Sequence, residues 1–269
     1  MTDAEIFSAC RVGAMVMRYL YLLRGSWARS LELLYWPAIQ VVLWGFMSQF
    51  LATNSTWVAR AGGVLLAAVM LWDVMFRGQL GVSISFLEEM WSRNLGHLFV
   101  SPLRPYEWVL SLIVMSLIRV LIGVAPAALL AIPLYHYSIF TLGLPLLAFF
   151  VLLVAMGWAI GLMIVALILR NGLGAEGLAW LAVFLLAPIS AIYYPVSVLP
   201  AWLQPIAWAL PSAHIFEGMR AVMFEHVFSL DHFFWACALD LFYLALGGVI
   251  FLWSFRHARR TGALLQMGE

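Results

Sequence analysis

Polar and apolar positions along this chain segregate into long blocks. Six stretches (about 31–52, 60–84, 107–132, 143–169, 177–198 and 233–256) each hold the roughly 20 apolar residues that a helix needs to cross a hydrocarbon core about 30 Å thick. Turns at Tyr135-His136-Tyr137-Ser138 and Arg170-Asn171-Gly172 split the third stretch from the fourth and the fourth from the fifth. Lipid offers no partner to an open backbone, so all six are expected to be helices. The pattern predicts an all-α membrane protein with six transmembrane helices in one domain, residues 1–269. No internal repeat argues for an inverted-repeat transporter.

Arginine placement gives an orientation. With the N-terminus cytoplasmic, Arg11, Arg18, Arg24, Arg29, Arg93, Arg104, Arg170, Arg256, Arg259 and Arg260 share that side. Only Arg60 and Arg220 fall opposite, and Arg77 and Arg119 fall inside spans. Both termini are therefore expected in the cytoplasm.

Three segments outside the spans carry patterns of their own. Residues 1–29 read as an interfacial segment, helical from residue 4. Arg11, Arg18 and Arg29 lie near whole numbers of turns apart and share a face, while Ile6, Met15, Tyr19, Leu22 and Leu23 populate others. Residues 86–100 read as one short amphipathic helix with Leu87, Trp91, Leu95 and Leu98 in a single stripe and a Glu89–Arg93 pair on another face. Ser101-Pro102 ends it, because a residue before proline avoids the α region. Such a helix slung under a bundle is a docking element. Residues 195–226 form the third segment. Pro195, Pro200, Pro205 and Pro211 forbid a continuous helix, and the apolar filling around Trp202 and Trp208 forbids a solvated loop. Short broken helices dipping into the outer interface satisfy both constraints, with Ser212 as the N-cap of a helix His214–Glu225 and Glu217–Arg220 as an i, i+3 pair.

Composition narrows the class further. The chain is 65% hydrophobic and 10% charged, against about 25% charged for an ordinary globular protein. So few polar side chains cannot coat a soluble fold. A net charge of +1 gives no reason to expect nucleic acid. All 14 basic residues are arginine. Residues 1–30 lack the apolar core of a signal peptide. Cys10 and Cys237 fall at opposite faces in this topology, so no disulfide is expected. His214, His226, His232 and Asp231 match no metal-ligand spacing, and neither a metal site nor a catalytic residue is expected.

Four charges fall inside the spans, where each is costly and needs a partner. Asp73 and Arg77 are i, i+4 neighbours and predict a local pair. Arg119 and Asp240 come out at similar depth in the outer half, which predicts a second pair. Static structural pairing is the plainer role. Presentation of Arg119 to an anionic headgroup is the functional one.

Two of these segments resemble the type-2 ABC-transporter membrane-domain family, export permeases that pair with a separate ATPase. One is the loop carrying Glu88 and Glu89 and ending Leu98-Phe99-Val100-Ser101-Pro102-Leu103. The other is Pro200-Ala201-Trp202-Leu203, then Pro211, then Glu217-Gly218-Met219-Arg220. The resemblance covers nearly the whole chain. It implies a bacterial-type inner membrane location and a second permease chain, with a homodimer expected. It also implies two copies of an ATPase subunit that hold the ATP and magnesium, with no cofactor on this chain. Leu87, Glu88, Glu89, Trp91, Arg93, Leu95 and Leu98 of the coupling helix would dock on that ATPase. Pro200, Trp202, Trp208, Glu217 and Arg220 would form the outer gate. The substrate implied is an amphiphile: a drug, lipid or lipo-oligosaccharide. The chain has no lysine for a phosphate-binding loop, so ATP hydrolysis by that machinery is outside its means. Two alternatives stand beside this reading. An intramembrane enzyme would want a nucleophilic serine motif or paired aspartates, and an ATP-independent channel or transporter a polar stripe or repeats.

Overall fold

The computed structural model describes residues 8–54 and 56–261. Among these it is helical, without strands, in the order α1 (Ala9–Arg24), α2 (Trp27–Asn54), α3 (Thr56–Trp91), α4 (Leu95–Val100), α5 (Pro105–Tyr135), α6 (Leu144–Asn171), α7 (Leu178–Ile189), α8 (Gln204–Trp208), α9 (Pro211–Glu225) and α10 (Leu230–Thr261). Among the described residues five helices are long and apolar enough to cross a membrane: residues 27–50 of α2, 63–91 of α3, α5, α6 and most of α10. The sixth predicted stretch, 177–198, is α-helical only over α7, with a single 3-10 turn at Val196–Val198. At 1.5 Å per residue its 12 residues reach about 18 Å, short of a full crossing.

α3 and α6 form the centre of the bundle, and α2, α5 and α10 pack on them. Small residues bring the central pair together. A Cβ at Gly157 would stand 2.6 Å from the Met75 carbonyl oxygen, and one at Gly161 would stand 3.0 Å from that of Gln79. With Gly78 opposite Val154 and Gly157, this is the close backbone approach that small residues permit between membrane helices. One layer of the core gathers Phe86, Leu112, Met115, Trp108 and Phe251 at the end that also carries α1 and α4, the basic end. A second gathers Met75, Phe149, Leu153 and Phe216 toward the proline-rich end.

The N-terminal helix is shorter than the predicted 4–29. α1 stops at Arg24, and Gly25–Ser26 turn the chain into α2; residue 6 lies outside the described residues. Val12, Met15, Tyr19 and Leu23 form its buried stripe against α5. The predicted helix 86–100 is two pieces. α3 continues its span to Trp91, the chain breaks at Ser92–Asn94 with Arg93 in the left-handed region (φ 53°), and α4 restarts at Leu95. Leu87, Trp91, Leu95 and Leu98 therefore make no single exposed stripe: Leu87 and Leu95 are buried and Trp91 is exposed.

Candidate functional site

A cleft of about 390 Å³ runs beside α3. Helical spacing builds its walls. α2 turns Arg29, Leu33, Trp36, Gln40 and Trp44 to one side, each a turn from the last. α3 answers with Trp72, Asp73, Phe76, Arg77, Leu80, Ile84 and Glu88, and α7 adds Trp180, Val183 and Phe184. Aromatic contacts fix the walls: Phe76 meets Trp180 edge-on at 6.0 Å, and Trp44 stacks on Tyr193 at 4.9 Å. The lining is thus largely apolar and aromatic with a few buried charges, the composition of a site for an amphiphile.

The charges are paired locally. Arg77 donates from Nε to Asp73 at 2.6 Å, as the i, i+4 spacing predicts. The predicted Arg119–Asp240 pair does not form. Arg119 instead donates one terminal nitrogen to both oxygens of Glu88, at 3.1 and 2.9 Å, and Arg29 reaches the same carboxylate at 3.3 Å. Depth along a straight span points Arg119 to Asp240 only if Glu88 lies in a loop, whereas α3 continues to Trp91 and carries Glu88 into the bundle. Asp240 is buried on α10, and its carboxylate bonds no described residue.

The basic end is held by two further arginine–glutamate pairs. Arg11 donates to Glu107 at 2.8 and 2.6 Å, and Arg18 to Glu89 at 2.8 and 3.0 Å. Hydrogen bonds to these carboxylates push both guanidinium pKa values further up, against the lowering effect of burial. Tyr19 accepts from Trp108 Nε1 at 3.0 Å, and burial drives its phenol well above the ordinary range. Asn94 donates to Glu89 at 2.6 Å, so one buried carboxylate ties α1 to the break before α4. Glu88 and Glu89, predicted as docking residues, are structural anchors in this geometry. Trp91 and Arg93 stay at the surface, beside exposed His97 and Val100, and Leu98 is half-buried.

At the proline-rich end Glu217 and Arg220 pair at 3.1 Å. Glu217 also accepts from the Val196 amide at 2.7 Å, and Arg220 donates to the Ala191 carbonyl at 2.9 Å. Together they clamp the 191–196 turn, where Ala191 takes a left-handed φ of 54° and Tyr193 is presented to Trp44. Pro200 and Trp202 are exposed and, with Trp208, lie outside the cleft lining. Trp208 stacks on His232 at 5.7 Å. Ser212 is not an N-cap. Pro211 opens α9, and the Ser212 hydroxyl donates to that of Ser190 at 2.8 Å.

A family model for the ABC-2 type transporter matches residues 13–224. That is well over half of the chain and takes in every wall of the cleft. The chain belongs to the ABC-2 type transporter family. Comparison with curated proteins gives no match. As a multi-pass membrane component of this transporter class, the ABC-2 chain uses its matched region, from within α1 through most of α9, to build the cleft and the clamp on the 191–196 turn. The aromatic lining residues Trp36, Trp44, Trp72 and Trp180 were not singled out by sequence. Their spacing on α2, α3 and α7 is visible in the sequence, but apolar spans carry many tryptophans that face lipid.

Proposed function

We propose that this ABC-2 chain is the permease subunit of an ATP-binding cassette exporter, moving a drug, lipid or lipo-oligosaccharide outward across a bacterial-type inner membrane. Both termini are cytoplasmic, and a separate ATPase in two copies binds ATP and magnesium. The observation that supports this most is the cleft: aromatic walls suit an apolar tail, and buried paired charges suit a polar head. Its open side lies along α2 and α7, whose outward residues, Leu43, Phe46, Phe184 and Leu185 among them, are exposed and apolar. A second copy of the chain closes that side in a homodimer, with α7 and the 190–198 turns completing a sixth crossing.

In this reading the coupling surface is the elbow from Trp91 through α4. Movement there passes directly into α3, which carries Asp73, Arg77 and Glu88, so a rigid-body shift imposed by an ATPase reaches the cleft. The outer gate is the clamped 191–196 turn, with Pro200, Trp202 and Trp208 beside it. The test is gentle purification of the tagged chain from its native membranes. An ATPase subunit is expected to accompany it, and to be lost with His97→Glu/Val100→Asp on the exposed elbow. Recovery of folded chain with neither partner nor ATPase activity would overturn the reading.

A further inference from the structure

The cleft holds hydrogen-bond donors that its own carboxylates do not use. Arg77 and Arg119 are 7% and 6% exposed, and both line the cleft. Arg77 commits only Nε to Asp73; its two terminal nitrogens bond no described residue and stay open to the cleft. Arg119 commits Nη2 to Glu88, leaves Nη1 open in the same way, and keeps Nε buried without a partner. Gly123, one turn beyond Arg119 on α5, makes room for this grouping. A Cβ there would stand 2.9 Å from Arg77 Nη1 and 2.9 Å from the Leu33 carbonyl oxygen. Among the buried groups acceptors are scarcer; the cleft's other two carboxylates, Glu32 and Glu176, are exposed and half-buried. Both Glu88 oxygens are engaged, and Asp73 leaves one oxygen without a described partner.

Buried donors without acceptors are costly, so a donor surplus inside a cleft marks a place for a ligand's acceptors. The guanidinium fork suits a tetrahedral oxyanion, which takes several parallel N–H bonds. Trp36, Trp72, Phe76 and Phe184 line the same space and suit an apolar tail. We infer that the cleft binds its amphiphile through a phosphate-type oxyanion held by the open nitrogens of Arg77 and Arg119. This rests on the cleft being the transport site, and it adds the headgroup chemistry.

Binding to the purified full chain in detergent tests it, read by tryptophan fluorescence and native mass spectrometry. The probes are phosphatidylglycerol, diacylglycerol with the same acyl chains, and inorganic pyrophosphate. Phosphatidylglycerol is expected to bind at least about tenfold more tightly than diacylglycerol, a difference set by charge-assisted hydrogen bonds. Asp73→Asn/Arg77→Gln keeps the local pair uncharged and is expected to erase that preference, as is Glu88→Gln/Arg119→Gln. Arg77→Lys keeps the charge without the fork and is expected to retain only part of it. Competition by pyrophosphate would assign the site to a free oxyanion, and its failure to a lipid headgroup; either supports the shared chemistry. Equal affinity for the two lipids on native chain would overturn it, even if a double variant failed to fold. So would a preference that survives in both folded double variants. Co-purification of the ATPase is scored separately, so an exporter without oxyanion preference and an oxyanion binder without ATPase are distinguishable outcomes.

Discussion

His214 shows how one side chain can make the proline-rich end sensitive to pH. Its Nε2 lies 2.9 Å from the Trp208 carbonyl oxygen, which can only accept, so Nε2 carries the proton. Nδ1 is then an acceptor for Nδ1–H of His232, 3.3 Å away. Burial lowers the His214 pKa below its ordinary 6.5, and neighbouring His232 lowers it further, against the raising effect of the Trp208 carbonyl. The neutral form is therefore the one that the fold favours. Above pH 6.5 both folded and unfolded chains hold it neutral, and the stabilisation is complete. As pH falls below 6.5 the unfolded chain takes the proton first, and stability declines until the folded pKa is reached. Thermal unfolding in detergent is expected at a lower temperature at pH 5.5 than at pH 7.5, with the difference reduced in His214→Gln. The Glu88–Arg119 pair gives a second expectation at this scale. Glu88→Ala strands a buried guanidinium and is expected to cost about 3 kcal/mol, as for other broken buried pairs. Adding Arg119→Leu is expected to recover most of that loss, and a double-mutant cycle on unfolding free energies measures it.

Helices were legible where periodicity and length both apply, and less so where a distant side chain decides an end. α5 and α6 lie close to their predicted bounds. The break at Ser92–Asn94 does not follow from local propensity. It is held by Glu89, whose carboxylate engages Arg18 and Asn94 from different parts of the chain. The stretch 177–198 is apolar throughout, yet its second half folds as turns because Ala191, Val196 and Leu199 pack with Ala207 and Ala213 in a small core of the proline-rich end. Hydropathy records that such residues are buried, not whether lipid or protein buries them. The packing of α3 on α6 depends on glycines in the same manner. Gly157→Leu drives a side chain into the Met75 carbonyl and the Gln79 amide, atoms that cannot swing aside. Overpacking of this kind costs about 1–3 kcal/mol, more where backbone must move. The variant is expected to lose monodispersity in size-exclusion chromatography, whereas Gly174→Leu, whose Cβ would meet nothing within 4 Å, is expected to behave as the parent does.

For the molecule as a whole, composition alone reveals the membrane class, while the cleft emerges only where three helices meet. The homodimer proposed above requires one apolar surface to face the second copy while the others face lipid. Among the helices with exposed apolar faces, two flank the bundle on different sides of the central pair: α2 through Leu31, Tyr35, Ile39, Leu43 and Phe46, packed on α3, and α10 through Trp235, Leu241, Phe242, Val249 and Trp253, packed on α6. Hydrophobicity does not separate them, because lipid tails are as apolar as leucine. The cleft does separate them. It opens beside α2 and α7, so an oligomer sealed there encloses the charged pairs, whereas one sealed on α10 leaves them facing acyl chains at the cost that buried charge carries in lipid. Single cysteines placed along each face, in a chain carrying Cys10→Ser and Cys237→Ser, decide between the two. Cross-linking in native membranes is expected to yield dimers from the α2 row, strongest at positions one turn apart as a helix seam requires, and monomers from the α10 row. Dimers from α10 alone would place the second copy on the other side and leave the cleft open to lipid.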